Sequence, residues 1–399
     1  MTAIKEAALT ISQSIDAKRS EYIATSQAIH AKPEIGNEEV FASATLVELL
    51  EDAGFAVETG VAGHETAFFA SKESSLPGPT IAYLAEYDAL PGLGHACGHN
   101  IIGTTSAAAA IALSETFSTT GGRVVVLGTP AEEGGPNGSA KGSFVKHGLL
   151  EGIDAALMIH PSGRSAVTTP SLAVDPLEFH FYGKPAHAAG SPEEGINALD
   201  AVLQLFNSIN ALRQQLPSDA RVHGIITHGG DAPNIIPEYA SARFYIRGDS
   251  WKKASDTSAK IRNIAEGAAL ATGTTVKIVR FQNEVQDLVV TPALDAIVRS
   301  ELEAVGEEVA DSRNTGIGST DAGNISYVVP TAHPYIKIGP DDLVGHTAEF
   351  REAAKSERGN EALIRGAKAL ANTGYRLLTE AALLEEVKAA HAHSLAAKI

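Results

Sequence analysis

The chain has 399 residues, 44% of them hydrophobic and 20% charged, and its 48 acidic against 31 basic residues leave a formal charge of −17. That balance excludes a disordered chain and repels nucleic acid and anionic membranes, so neither is an expected partner. One cysteine excludes an intramolecular disulfide framework. No apolar run approaches the roughly 20 residues that span a bilayer. The stretch MTAIKEAALTISQSIDAKRS has neither a basic start before an apolar run nor a cleavage site, which gives a cytoplasmic expectation. The length exceeds what one core organises, so two domains are expected, one of them inserted into the other.

In chain order, Ile15, Tyr22, Ile23 and Ile29 fall near a 3.6 period and predict a helical start. A second helix runs across Phe41 to Ala53 and stops at Gly54. The runs AFFAS, TIAYLAEYD, RVVVLGTP and DAALMIHP then alternate with Ala-rich helical stretches such as Thr104 to Phe117. Strands alternating with helices predict an α/β domain on a mostly parallel sheet. From about Ser171 the texture changes to strand (Leu177 to Tyr182), helix (Gly195 to Leu216), two strands (Val222 to His228, Tyr239 to Arg247), helix (Lys253 to Thr272) and strand (Thr275 to Arg280). That β-α-β-β-α-β order is a ferredoxin-like unit. The expected division is therefore a catalytic domain of residues 1–170 and 285–399, and an inserted domain of residues 171–284. The charged helical tail, Glu361 to Lys398, reads as an outer layer of the first domain.

Five segments hold most of the chemistry-bearing residues: AEYDALPGLGHACGHN, GTPAEEGGPNG, LMIHP, GKPAHAAGSP with GGDAPNIIP, and GSTDAGN with GHTAEF. Each begins where a predicted strand ends, and in open α/β sheets the carboxyl ends of strands line the ligand crevice. Asp88, Glu132, Glu133 and His160 are expected to converge there. A lone cysteine is ordinarily a small buried hydrophobe. Cys97 instead flanks Gly98 with His99 in a Gly-rich loop leading into an apolar helix, where a thiolate is favoured, and both read as metal ligands. Glu132 and Glu133 follow a buried strand, so one carboxylate can take a metal while its neighbour faces a bound water. His160 and His346 are each ambiguous alone. Together with Cys97, His99 and Glu133 they make a donor set suited to zinc or manganese.

Those motifs, with HAKPEIGNEE near the start, stand in the order and spacing of the aminoacylase and carboxypeptidase family of di-metal peptidases. The chain resembles the amidohydrolase branch of that family over almost its whole length. The resemblance implies that Cys97 is shared between two divalent ions, with His99, Glu133, His160 and His346 completing the coordination and Glu132 as catalytic base. It also implies a ferredoxin-like lid that forms a homodimer, in which His187 and Asn234 approach the substrate, often that of the partner subunit. Asn100 stands where many amidohydrolases have Asp. This wording is similar to the subgroup containing p-aminobenzoyl-glutamate hydrolase and certain dipeptidases.

The expected activity is metal-dependent hydrolysis of the amide bond of an N-acyl or N-aroyl amino acid, with a dipeptidase or carboxypeptidase as the alternative. Asp88 is suited to orient His99 by a hydrogen bond. His187 is expected to help hold the oxyanion. Arg247, Asn234 and the GSTDAGN loop with Asp321 are candidates for the substrate carboxylate. Two other classes compete. A cysteine hydrolase would use Cys97 as nucleophile, but His99, two residues away, is awkwardly placed as its base. A non-catalytic binding protein would lack ligands or base, and here all six positions are filled.

Overall fold

The structure is a computed structural model that describes residues 2–311 and 318–398. The chain divides into two compact units, Met1–Ser171 with Leu288–Ile399 and Leu172–Asp287. In chain order the first unit opens with helices α1 (Thr2–Ala17), α2 (Arg19–Ala31) and α3 (Val40–Asp52) and strands β1 (Ala56–Thr59), β2 (Phe68–Glu73) and β3 (Thr80–Ala85). It continues with α4 (His99–Ser114), α5 (Phe117–Thr120), β4 (Arg123–Gly128), α6 (Ala140–Lys146), β5 (Ala155–Leu157) and β6 (His160–Ser162). The second unit holds β7 (Ala173–Tyr182), α7 (Ala198–Leu212), β8 (Arg221–His228), β9 (Tyr239–Gly248), α8 (Trp251–Thr272) and β10 (Thr275–Arg280). The chain then returns to the first unit with α9 (Pro292–Ala304), α10 (Ala322–Ser326), β11 (Thr331–Ala332), β12 (Tyr335–Lys337), α11 (Ala348–Ala354), α12 (Glu357–Thr379) and α13 (Ala381–Ala396).

The main sheet runs β1-β2-β4-β3-β5-β11. The pairs β3–β4, β3–β5 and β5–β11 are parallel, and only β1–β2 and β2–β4 are antiparallel. A short parallel pair, β6–β12, extends the strand-end crevice. Val124, Val125, Val126 and Leu127 are fully buried, the continuous apolar run expected of a strand covered on both faces. All of α4 is buried between the sheet and α12, so it shows no polar face. That burial fixes its first residue, His99, against the core.

Two local expectations need correction. The period read through residues 15 to 29 spans two helices, because Ile15, Tyr22 and Ile29 are all buried while the backbone leaves helical geometry at Lys18. The tail is not simply an outer layer. In α12, Ala362, Leu363, Ala367, Leu370 and Leu377 are core residues, and a Cβ on Gly374 would stand 2.3 Å from the Tyr83 hydroxyl. Its charges occupy one face only, and the small residues on the other admit α4 and β3.

In the second unit the antiparallel sheet β10-β7-β9-β8 carries both helices. Leu177, Phe179 and Phe181 on β7 and Phe244 and Ile246 on β9 pack under Leu205, Ile209, Ile261 and Ala265. The segment after β10 stays with this unit, since Val285 bridges to Val174 and Asp287 accepts the Trp251 N–H, which carries the unit past residue 284. Strand β8 is an edge with Ile225 64% and Ile226 42% exposed. Among the described residues, no helix is long and apolar enough to cross a membrane.

Candidate metal centre

Because β3 and β4 are parallel neighbours, the segments leaving their carboxyl ends meet on one side of the sheet. Asp88 lies just beyond β3, and Glu132 and Glu133 just beyond β4. His160 opens β6, and the loop from β12 to α11 brings in His346, whose backbone N–H donates to Ala96 O at 2.9 Å. Gly98, in the left-handed region at φ 79°, lets Cys97 and His99 flank the start of α4, and a Cβ there would meet Pro161 Cγ at 2.8 Å. Ala131 and His346 also hold positive φ, 56° and 62°, which a side chain tolerates only when surrounding contacts impose it.

Two donor triads among the described residues share Cys97. The ligand atoms of Cys97, His99 and His160 lie within 4.8 Å of one another, as do those of Cys97, Glu133 and His346. Cys97 Sγ stands 3.4 Å from His160 Nε2, and His346 Nε2 stands 3.4 Å from Glu133 Oε1. Both inner histidines turn Nε2 inward because Nδ1 is engaged behind: His99 Nδ1–H donates to Asp88 Oδ1 at 2.8 Å and His160 Nδ1–H to the Pro161 carbonyl at 2.7 Å. Asp88 Oδ2 accepts the Glu133 N–H at 3.0 Å, so one buried carboxylate sets two of the donors. His99 Nε2 and Glu133 Oε1 are buried without a hydrogen-bond partner, an arrangement that fits a bound cation. His346 has a 55% exposed side chain and marks the mouth.

The electrostatics also call for positive charge. Burial, then Glu133, pushes the Cys97 thiol well up, so the start of α4 does not by itself produce the expected thiolate. Burial, with the neighbouring carboxylates Glu86, Glu133 and Asp321, pushes the Glu132 carboxyl well up. Burial, reinforced by His333, lowers His160 to about 3, which keeps its imidazole neutral and available as a ligand.

Residues 82–373 match the model of peptidase family M20/M25/M40. The chain belongs to that family. It is 39% identical to the Xaa-Arg dipeptidase of Mus musculus over 94% of this chain and 89% of that one. It is 30% identical to one of the subunits of the p-aminobenzoyl-glutamate hydrolase of Escherichia coli K12, over 96% of this chain and 94% of the relative. The aminobenzoyl-glutamate utilization protein of Klebsiella pneumoniae shares the fold, with a TM-score of 0.74 at 18% identity over 91% of this chain and 97% of that one. A dinuclear metal binding M20 peptidase of Bacillus subtilis superposes with a TM-score of 0.65 at 19% identity over 91% and 99%. As a member of the M20/M25/M40 family the chain is a hydrolase.

The remaining candidate residues fall in both units. Asp321 is 1% exposed and spent on Lys141, its Oδ1 2.6 Å from the ammonium and its Oδ2 accepting the Lys141 N–H, so it does not face a substrate. His187, Asn234 and Arg247 lie in the second unit. His187 is exposed, and its Nδ1 accepts N–H groups from Ala189 and Gly190, which puts its proton on the outward Nε2. The Ala188 N–H donates to Asn234 O, lacing the two loops together. Arg247 lies eight residues along β9 from Tyr239, about 26 Å from the end near Asn234, and its Nε donates to His223 Nε2 at 3.2 Å. Arg247 and Asn234 are therefore not brought together.

Three buried residues, Glu39, Glu86 and Lys141, carried no expectation from the sequence. Glu39 accepts the Ala131 N–H at 2.9 Å and the Thr66 hydroxyl at 2.8 Å, bracing the strained turn before Glu132. Glu86 and Lys141 form an ion pair at 2.7 Å. Strand alternation was the available signal for Glu86, which sits two residues before Asp88.

Proposed function

We propose that this chain is a metal-dependent dipeptidase that releases a C-terminal amino acid and favours cationic ones. The observation that carries the hydrolytic centre is the pair of donor triads meeting at Cys97, with Glu132 beside them. In this reading Cys97, His99 and His160 hold one divalent ion and Cys97, Glu133 and His346 the other, zinc or manganese. Bound there, the ions supply an activated water and polarise the scissile carbonyl. Glu132, whose carboxyl burial and the neighbouring carboxylates push up, would accept a proton from the attacking water and return it to the leaving amine. Asp88 keeps His99 in the right tautomer.

His187 offers its Nε2–H to the oxyanion and Asn234 binds the substrate carboxylate. Their unit acts as a lid, and its exposed edge β8 supports a homodimer. The −17 charge favours a cationic leaving residue such as arginine over a doubly anionic aroyl-glutamate. The Xaa-Arg dipeptidase relative supports the same choice. The Escherichia coli relative, aligned over 96% of this chain, supports N-aroyl amino acids as the second reading.

The deciding assay measures amine release from Xaa-Arg and Xaa-Lys dipeptides, neutral and acidic dipeptides, N-acyl amino acids and aminobenzoyl-glutamate, with zinc- or manganese-loaded protein and a Glu132→Ala blank. Metal-dependent cleavage led by the basic dipeptides is expected. Preference for aminobenzoyl-glutamate would establish the second reading, and no cleavage with two ions bound would discard both substrate classes.

A further inference from the structure

Behind His99 lies a buried set of charges that this reading leaves unused. Glu86 and Asp88 are two residues apart and bracket the His99 ring. Asp88 Oδ1 takes the Nδ1–H at 2.8 Å, whereas Glu86 Oε2 stands 3.6 Å from Nε2. Glu86 Oε1 is held 2.7 Å from the Lys141 ammonium, which Asp321 holds at 2.6 Å. Glu86, Lys141 and Asp321 are each at most 1% exposed, so this set of charges is buried. Both Glu86 Oε2 and His99 Nε2 are buried without a hydrogen-bond partner. The third corner is Glu132, its Oε2 3.9 Å from the same Nε2, and ligand atoms of Glu86, His99 and Glu132 all lie within 4.8 Å of one another.

The unpartnered Glu86 Oε2 and His99 Nε2, with a Glu132 carboxylate oxygen beside them, make a buried donor set for a divalent cation. We propose that Glu86, His99 and Glu132 form a second seat for a divalent ion. This seat excludes occupancy of the Cys97, His99 and His160 seat, because both need His99 Nε2. The seats differ in softness: a thiolate with two imidazoles suits zinc, and two carboxylates with one imidazole suit manganese. An ion in the second seat takes Glu132 as a ligand and so competes with its work as base. That consequence rests on Glu132 being the base.

The test titrates zinc-free wild type and Glu86→Gln with manganese(II), following free manganese by its electron paramagnetic resonance signal, and titrates both with zinc against a chromophoric chelator. Glutamine keeps the volume and leaves an oxygen for Lys141. The variant is expected to lose about tenfold or more in manganese affinity at one site and to keep its zinc affinity. Unchanged manganese binding overturns the proposal, as does equal loss of both metals, which makes Glu86 a general support. Wild type that binds no zinc would instead overturn the metal-centre reading itself. If the variant does not fold, anomalous diffraction from manganese-loaded wild type decides: an ion within about 2.5 Å of Glu86 Oε2 supports the seat, and one between Cys97 and His160 removes it.

Discussion

Asp88 shows how one side chain organises a site, since its two oxygens fix the His99 ring and the Glu133 backbone at once. Asp88→Ala frees the tautomer of His99 and leaves the Glu133 N–H without its partner. A loss of roughly 10- to 100-fold in metal affinity is expected, read by competition with a chelator. Metal affinity equal to wild type would remove Asp88 from this role. Glu132 has the opposite signature. Among the described residues no donor is hydrogen-bonded to its carboxylate, so Glu132→Gln is expected to keep both ions while turnover falls about 10²- to 10⁴-fold. Elemental analysis beside steady-state kinetics checks this, and near-normal kcat would sink the base assignment.

At the scale of elements, the site depends on where α4 begins, and the pH dependence of stability on what α9 packs against. Helix α4 starts at Gly98, whose φ of 79° and 2.8 Å approach to Pro161 leave no room for a side chain. Gly98→Ala is expected to cost about 1–3 kcal/mol and to lower metal occupancy, because both flanking ligands shift. Denaturant unfolding with metal analysis reads both effects. Helix α9 carries in its first turn Asp295, which accepts the Thr168 hydroxyl at 2.6 Å and whose carboxyl burial pushes up from 3.8 to about 6. Folded Asp295 thus binds its proton more tightly than the unfolded chain does. Its contribution is greatest below about pH 4 and is lost as the pH rises to about 6, by roughly 3 kcal/mol at about 1.4 kcal/mol per pH unit. Asp295→Asn is expected to flatten that part of the stability curve. A variant whose stability follows the wild-type slope between pH 4 and 6 would assign the slope to other groups.

At the scale of the molecule, an unprotected sheet edge needs a partner or a blocking charge. Strand β8 ends the second unit's sheet with Ile225 and Ile226 exposed and no lysine along it. The proposed homodimer would cover this edge, so wild type is expected to sediment as a dimer and Ile225→Glu as a monomer with unchanged metal content. A monomeric wild type would discard the assembly.

Hydrophobic patterning made the α/β class and mostly parallel sheet legible, because a buried parallel strand is a nearly continuous apolar run and its helices repeat at 3.6 residues. The strand-end positions of Cys97, His99, Glu133 and His160 were legible for the same reason: alternation and parallel pairing dictate where the crevice opens. The break at Lys18 was hidden because apolar spacing continues across it, and the depth of α12 because a helix's charges mark its wet face without showing how deep the other face goes. Asp321 looked available because a motif carries no burial. Its partner Lys141 is 180 residues away in sequence, and only the tertiary structure closes that ion pair. Short-range periodicity determined the layers and the crevice. The partner each buried charge finds depended on contacts between segments far apart in the chain, which no local pattern encodes.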